Sequence, residues 1–373
     1  MKRKVCILQN GLARGGTDTF VVNLCRGLDK DKFEVIVVNP SLKPESLIRE
    51  PEVLAEGCRI LRTSPLTSVS SKLKHFWRLY KLLRKEKVEI FHTNIDLFNG
   101  PQLFVAWLAG VPMRICHSHN GNQQKALVHG QTTSIRLYQR IMRWMCWTFS
   151  NRRIGCSEFA MEFLYQGRNW KHDKYPIVIN NGIDLDIYRK RIDIEAKKKE
   201  LGLTAKYNVI TVGRIIPQKN PTFIAKSFVE LCKLRDDCDF VWVGDGNLRT
   251  ECEEIFKQNG VQNRVHFLGQ RADVNEILQC CNLFFMPSSF EGLGIVIIEA
   301  QAAGLPCLVS TEVPQEANCG GCLYKSLDDS KADWNGAMSD LLDKKIKLEI
   351  NENALQKFSI NYMVEQVQQV FNS

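Results

Sequence analysis

Short apolar runs alternate with stretches whose apolar positions recur every three or four residues, and the alternation persists along most of the chain. In the first half, residues 5–8, 35–38, 88–91, 114–116, 153–156 and 177–179 read as strands; in the second, 209–212, 240–243, 265–268, 283–286 and 307–309 do. Helical periodicity lies between them. Phe20, Val21, Leu24 and Leu28 share one face behind Thr17, a residue able to cap that helix, and Asn220-Pro221 opens another helix through Leu231. Strands alternating with helices predict parallel sheets covered on both faces. The pattern breaks once, at the turn signal Asn180-Asn181-Gly182-Ile183-Asp184 and the polar stretch 188–199, and then restarts. A length of 373 residues also suggests two domains. The expected fold class is therefore α/β, with Rossmann-like domains over 1–184 and 185–373. The second is expected to carry a C-terminal helix over about 355–371.

The loops after these strands carry the candidate chemistry, because ligands of open α/β sheets sit at the carboxyl ends of strands. Loop 213–220 reads Gly-Arg-Ile-Ile-Pro-Gln-Lys-Asn, and further glycines punctuate the same edge at Gly244, Gly246 and Gly269. Arg214 and Lys219 leave that edge together, and two cations suit a diphosphate better than one. Glu291 precedes the turn Gly292-Leu293-Gly294, and Glu299 falls inside the apolar helix that the turn starts. The N-terminus of that helix would offer unpaired N–H groups and the positive end of a dipole. Gly292, Leu293, Gly294 and Ile295 thus form a seat for an anion, with Glu299 one turn deeper. The pair of carboxylates alone is better read as a surface Glu plus a helix Glu; the nearby cations shift the reading to a nucleotide-sugar site.

In the first domain, Gly15-Gly16 end the first strand–helix loop and would let backbone approach a phosphate. The G-x-G-x-x-G spacing of a dinucleotide reader is absent. His117-Ser118-His119-Asn120 ends a strand at the same expected edge, where a structural and a reactive histidine are both plausible.

Charge is unevenly distributed. Residues 72–157 hold 14 Lys and Arg against three acids, a net +11 within a chain total of +9. Such a regional excess is a steering surface for something anionic. Two helices carry it. Over 72–87, Leu73, Phe76, Trp77, Tyr80 and Leu83 form one face, and Lys74, Arg78, Lys81 and Lys85 another. Over 134–149, Tyr138, Ile141, Met142, Met145 and Phe149 make a core stripe beside Arg136, Arg140 and Arg143. Basic stripes with exposed Trp144 and Trp147 suggest docking on an anionic membrane surface; a solvated basic face is the alternative. No nucleic-acid partner is expected. No apolar stretch approaches the ~20 residues of a membrane-spanning helix. The apolar run after Met1-Lys-Arg-Lys4 stops at Gln9-Asn10, so no secretory signal is expected. Fourteen cysteines, scattered singly along apolar segments, fit buried thiols in a reducing cytoplasm. Cys319-Gly-Gly-Cys322 has no second pair at ligand spacing, so no metal site is expected there.

With these residues assembled, the chain resembles the retaining glycosyltransferases of the GT-B fold, specifically family 4 and its bacterial capsular and exopolysaccharide branch. The resemblance spans nearly the whole chain. Its specific parts are Glu291-x7-Glu299 and loop 213–220, supported by Asn181-Gly-Ile-Asp184, Gly15-Gly16 and the run 114–120. It implies two parallel sheets facing an interdomain cleft, with the nucleotide-sugar donor in the second domain and the acceptor in the first. Arg214 and Lys219 would hold the donor diphosphate, and the amides of Gly292, Leu293, Gly294 and Ile295 would share that load. Glu299 would bind the ribose hydroxyls, Glu291 would contact the donor sugar, and Gly16 would approach the ligand from the first domain. His119, which directly precedes Asn120, would line the reaction centre rather than His117. Two departures stand out. Thr17-Asp18-Thr19 occupies a place where many relatives have a Glu-Arg pair, and no D-x-D metal motif is identifiable at the site, so the resemblance implies a metal-independent enzyme.

The expected function is transfer of a sugar, with retention, from a UDP-linked donor to a growing, lipid-diphosphate-linked glycan. The setting would be capsule, exopolysaccharide or O-antigen synthesis at the cytoplasmic face of a membrane, with the nucleotide sugar as substrate and no further cofactor. A GT-B nucleotide-sugar epimerase is the second reading; it would need additional acid–base carboxylates, and the sequence singles none out. A non-enzymatic polyanion or membrane-surface binder is the third, and the complete set of Arg, Lys and paired Glu positions speaks against it.

Overall fold

The computed structural model describes residues 2–13, 15–120, 132–172, 175 and 177–373. The chain divides into two compact units, Met1–Ile183 with Lys357–Ser373, and Asp184–Gln356. The first holds β1 (Arg3–Leu8), β2 (Phe33–Val38), β3 (Arg59–Leu61), β4 (Ile90–Thr93), β5 (Met113–Ser118) and β6 (Arg152–Gly155) in the order β3-β2-β1-β4-β5-β6. The second holds β7 (Tyr207–Val212), β8 (Cys238–Val243), β9 (Val265–Gly269), β10 (Leu283–Met286), β11 (Cys307–Ser310) and β12 (Cys322–Lys325) in the order β12-β11-β10-β7-β8-β9. Every pairing between these strands is parallel. Each sheet starts at its centre, winds to one edge, returns beside its first strand and winds the other way. That order creates a switch point between β1 and β4 in the first unit and between β7 and β10 in the second, where connections diverge and leave a crevice.

Period-two burial explains why the central strands are apolar throughout. In β1, Val5 and Ile7 enter one core cluster, while Cys6 and Leu8 enter the cluster on the opposite face. Phe240 and Trp242 of β8, two residues apart, likewise enter one core cluster in the second unit. All cysteines except Cys232 are buried. The expected strand at 177–179 is instead a single bridge, Val178 to Gly155. β3 and β12 were not expected: both are edge strands, and their outer residues are only partly buried, so they lack an apolar run.

Four helices of the first unit frame its edge: α1 (Gly16–Gly27), α2 (Val69–Glu86), α3 (Asn99–Leu108) and α4 (Thr133–Phe149). The residue at the cap of α1 is Gly15, not Thr17; it has no side chain to accept from the first turn, and the Asp18 carboxylate instead takes the Gly15 N–H at 3.1 Å. On α2 the buried side chains are His75, Leu79 and Leu83, whereas Leu73 and Trp77 of the apolar face read from the sequence are exposed. On α4 they are Gln139 and Cys146, whereas Tyr138 and Ile141 are exposed. Both helices are apolar over more than one stripe, so periodicity alone could not choose the inner face. Trp144 is exposed as expected; Trp147 is half-buried under the Arg153 guanidinium, 3.9 Å from its ring centre. In the second unit, α5 (Pro221–Leu234) and α6 (Ile295–Ala302) follow β7 and β10. Among the described residues no helix is long and apolar enough to cross a membrane.

The C-terminal helix, Ile360–Asn372, groups with the first unit and not with 185–373 as expected, while the break between the units, at 183/184, falls one residue from the expected 184/185. Ile183 N–H donates to the Phe358 carbonyl at 2.7 Å, and Ile360 N–H donates back to the Ile183 carbonyl at 3.2 Å. Met363, Val364, Val367, Val370 and Phe371 then join the core cluster built on α1, β1 and β2. Their apolar face is what the order of the chain concealed: it covers the first sheet after the second is complete. Gly27 of α1 marks the closest approach, since a Cβ there would stand 2.5 Å from Val364 Cγ2. Gly27→Ala should therefore destabilise the protein by about 1–3 kcal/mol through overpacking. In urea unfolding, adding Val364→Ala to that variant should recover part of the loss; full additivity of the two changes would show that the contact is absent.

Candidate active site

In the second unit, β7 and β10 end side by side, and loops 213–220 and 287–294 leave from the switch point together. Backbone and side chain stitch them: Ser289 N–H donates to the Gln218 carbonyl at 2.8 Å, and buried Gln218 Nε2 donates to the Phe290 carbonyl at 3.2 Å. From the other side, Gly213 N–H donates to Val243 O, Ile215 N–H to Asp245 O and Leu248 N–H to Ile215 O, at 2.9, 3.0 and 3.2 Å. A Cβ on Gly244 would lie 2.0 Å from the Gly213 carbonyl oxygen, and one on Gly246 would lie 2.3 Å from that of Ile215. These glycines permit close backbone approach. Their place in the sequence pattern is thus explained by packing, which fixes the cation-bearing loop against its neighbours.

On that frame, Lys219 Nζ contacts Glu291 Oε1 at 2.6 Å, with the two side chains 17% and 7% exposed. The partners are 72 residues apart, and nothing local in the sequence announces the pair. Arg214, on the same loop as Lys219, is exposed and makes no side-chain hydrogen bond or ion pair among the described residues. Gly294, at φ +80°, turns the chain into α6, and the Glu291 side chain lies against it. The N–H groups of Gly294, Ile295 and Val296 take no acceptor among the described residues, as expected for the first turn of a helix. Leu293 is buried and holds the turn down, while Gly292 is buried beside it. Glu299 lies half-buried one turn into α6, between Ile298 and Ala300, which are buried. The unit therefore gathers one paired ammonium, one unpaired guanidinium on the same loop and a helix N-terminus at a single sheet edge.

The first unit has its own switch-point cluster. His119, after β5, is buried, and its Nε2 lies 2.9 Å from Asn94 Oδ1. Asn94 Nδ2 faces two carbonyls, Leu8 O at 3.4 Å and His92 O at 3.5 Å, so its oxygen must face the histidine. That network assigns the Nε2–H tautomer to His119 and leaves Nδ1 as a buried acceptor without a partner among the described residues. Asp96, in the left-handed region at φ +50°, accepts the His119 N–H at 2.8 Å and the Asn120 side-chain amide. Asn99 donates to the His117 carbonyl at 2.8 Å. Asn94, Asp96 and Asn99 were missed in the sequence; their signal was a cluster of short polar side chains directly after β4. His117 is structural: its Nδ1 pairs with His92 Nε2 at 3.1 Å, and its ring packs against Phe20 and His119, with centroids at 4.7 and 3.8 Å.

Gly16 begins α1, and a carboxylate stands close to that N-terminus. Asp18 accepts from Gly15 N–H and from Gln9 Nε2 at 2.7 Å, and burial raises its pKa above the usual carboxylate range. A phosphate approaching Gly16 would meet a carboxylate. Arg14 of the same loop lies outside the described residues.

Burial, the dominant cause, lowers His92 and His119 to about 3 and places His117 well below its ordinary value, so all three rings are neutral at pH 7. Asp96 is shifted upward by burial, the opposite sense for stability, but it is one group against three. A folded-state pKa below the unfolded value near 6.5 means that the unfolded chain binds protons first as pH falls. The stability that these rings contribute should therefore be fully present above about pH 6.5 and decline from there down to about pH 3. His92→Gln should flatten that decline in thermal melts; an unchanged acid slope would show that the cluster is solvated.

Two family descriptions match the chain: Glycosyltransferase Family 4 over residues 14–187 and Glycosyl transferases group 1 over residues 193–318. A curated relative, the UDP-Gal:alpha-D-GlcNAc-diphosphoundecaprenol alpha-1,3-galactosyltransferase of Escherichia coli, is 33% identical over 279 residues, 69% of this chain and 66% of its own. The N,N'-diacetylbacillosaminyl-diphospho-undecaprenol alpha-1,3-N-acetylgalactosaminyltransferase of Campylobacter jejuni is 27% identical, covering 90% of this chain and 89% of its own. Among solved structures, Anabaena HepE in complex with UDP and glucose superposes with a TM-score of 0.81 at 18% identity, covering all of both chains. The fold is thereby GT-B, and the matched segments include α1, His119, loop 213–220 and both Glu291 and Glu299. The chain belongs to the glycosyltransferases of the group 1 and family 4 type.

Proposed function

We propose that this glycosyltransferase moves a sugar from a UDP-linked donor, with retention and without a metal ion, to a lipid-diphosphate-linked glycan in bacterial surface-polysaccharide synthesis. The observation that carries the donor reading is the gathering of Lys219, Arg214 and the unpaired N–H groups of Gly294 to Val296 at the β7/β10 edge. Breaking the sugar–phosphate bond leaves extra negative charge on the departing diphosphate. Fixed positive groups in a partly desolvated crevice stabilise that charge more in the transition state than in the ground state. Glu299 is the group suited to ribose hydroxyls, since a carboxylate anchored on a helix accepts two hydrogen bonds without moving. Glu291 is assigned to the donor sugar. His119, buried and neutral, suits surroundings that carry hydroxyls and not an anion. Retention rests on the family resemblance alone.

The acceptor reading is supported by two relatives whose names specify undecaprenyl-diphosphate-linked sugars, and the UDP donor by UDP-Gal in one of them. A surface of the first unit fits that class of acceptor. Helices α2 and α4 both pack against α3. Together they expose Leu73, Trp77, Trp107, Leu108, Leu137, Ile141 and Trp144, with Trp77 58% and Trp144 51% accessible. Lys74, Arg136 and Arg140 are exposed on the same helices, as is Lys81, which lies 3.6 Å from the Trp77 ring centre. Apolar side chains among cations favour an anionic bilayer over water alone. Sequence reading had placed part of this surface in the core, and had not included α3.

Arg214→Ala should lower the rate of transfer by about 100-fold or more while leaving the melting temperature close to wild type, because the side chain is exposed. Full activity in that variant, measured as UDP release, would remove Arg214 from the site. Flotation with anionic liposomes should show binding that weakens with salt, and Trp77→Ala/Trp144→Ala should weaken it at every salt concentration. Equal flotation of wild type and double variant would remove the apolar surface from the account.

A further inference from the structure

Lys219 is asked to meet a diphosphate, yet its ammonium is already matched. Glu291 Oε1 stands 2.6 Å away, and both side chains are largely withdrawn from water. The other contact of Nζ is Met286 Sδ at 3.9 Å, which carries no charge. A phosphate oxygen brought to Lys219 therefore meets a carboxylate where it needs to sit. Two anions cannot share one partly desolvated ammonium without strong repulsion.

We propose that Glu291 is an exchangeable counter-ion. Without donor it holds Lys219 in place and satisfied; the donor diphosphate takes Lys219 over and frees the Glu291 carboxylate for the sugar end of the donor. The inference rests on the diphosphate reading of Arg214 and Lys219. Its mechanical basis is independent of that reading: the Gln218 bonds to Ser289 and Phe290 tie the two loops into one frame, so exchange requires only side-chain movement. Arg214, exposed and without a partner among the described residues, is the group an incoming anion meets first.

Exchange has a consequence for discrimination between substrate and product. A nucleotide sugar that displaces Glu291 also offers hydroxyls to the displaced carboxylate. UDP displaces it and offers nothing, leaving a buried charge unsatisfied. Glu291 thus weakens the binding of product UDP relative to donor, which favours release after transfer. It is a positioning and discriminating residue even if it never touches the reacting atoms.

The test is isothermal titration of the full chain with UDP, beside initial rates with the donor the enzyme accepts. Glu291→Gln should bind UDP about tenfold more tightly, a change of about 1.4 kcal/mol, while transferring more slowly. Its melting temperature without ligand should be lower than wild type, because Lys219 loses its counter-ion, and UDP should raise it by more than it raises wild type. Glu291→Ala, which removes the carboxylate without adding an amide, should move UDP affinity in the same direction and serves if Glu291→Gln fails to fold. Unchanged or weaker UDP binding in a folded variant would overturn the exchange while leaving the donor site standing. UDP binding by neither wild type nor variant would overturn the donor-site reading itself.

Discussion

The Lys219–Glu291 ion pair is the contact on which the account of the second unit turns. It joins the loop after β7 to the loop after β10 at the point where the strand order reverses. Everything around it serves placement. Gly244 and Gly246 let the backbone of the β8 loop press against residues 213–215, and Gln218 bonds across to the Glu291 turn. The ammonium and the carboxylate are thus held on a rigid frame, not on two free loops. That is the condition under which a charge can be presented to a ligand without reorganisation.

The first unit solves a different electrostatic problem. A carboxylate, Asp18, stands at the start of its first helix, and its three switch-point imidazoles are neutral. It offers acceptors and a buried polar network where the second unit offers cations and N–H groups. The division suits a reaction in which one partner brings a diphosphate and the other brings hydroxyls.

Much of the fold was legible because central parallel strands are buried on both faces and therefore read as uninterrupted apolar runs; Val5 to Leu8 and Leu283 to Met286 are of this kind. Edge strands β3 and β12 were not legible, since one side of each meets solvent. The C-terminal helix was legible as a helix but not as a member of the first unit, because no local signal records which sheet a terminal helix covers. The site divides in the same way. Arg214, Lys219, Glu291 and Glu299 announced themselves through residue type beside glycine turns. Their pairing did not, because an ion pair across 72 residues leaves no periodicity. Asn94 and Asp96, which fix the His119 tautomer and backbone, were hidden for a further reason. Short polar residues after a strand usually signal no more than a turn.

The central claim is that the chain turns over a UDP-sugar with help from cations at the β7/β10 edge. It is tested most directly by measuring UDP release by the purified protein across a panel of nucleotide sugars, with and without an undecaprenyl-diphosphate-linked sugar. The account predicts that a UDP-linked donor is consumed, and that the lipid-linked acceptor accelerates the release. Release from no UDP-sugar, or consumption only of donors carrying another nucleotide, would contradict it.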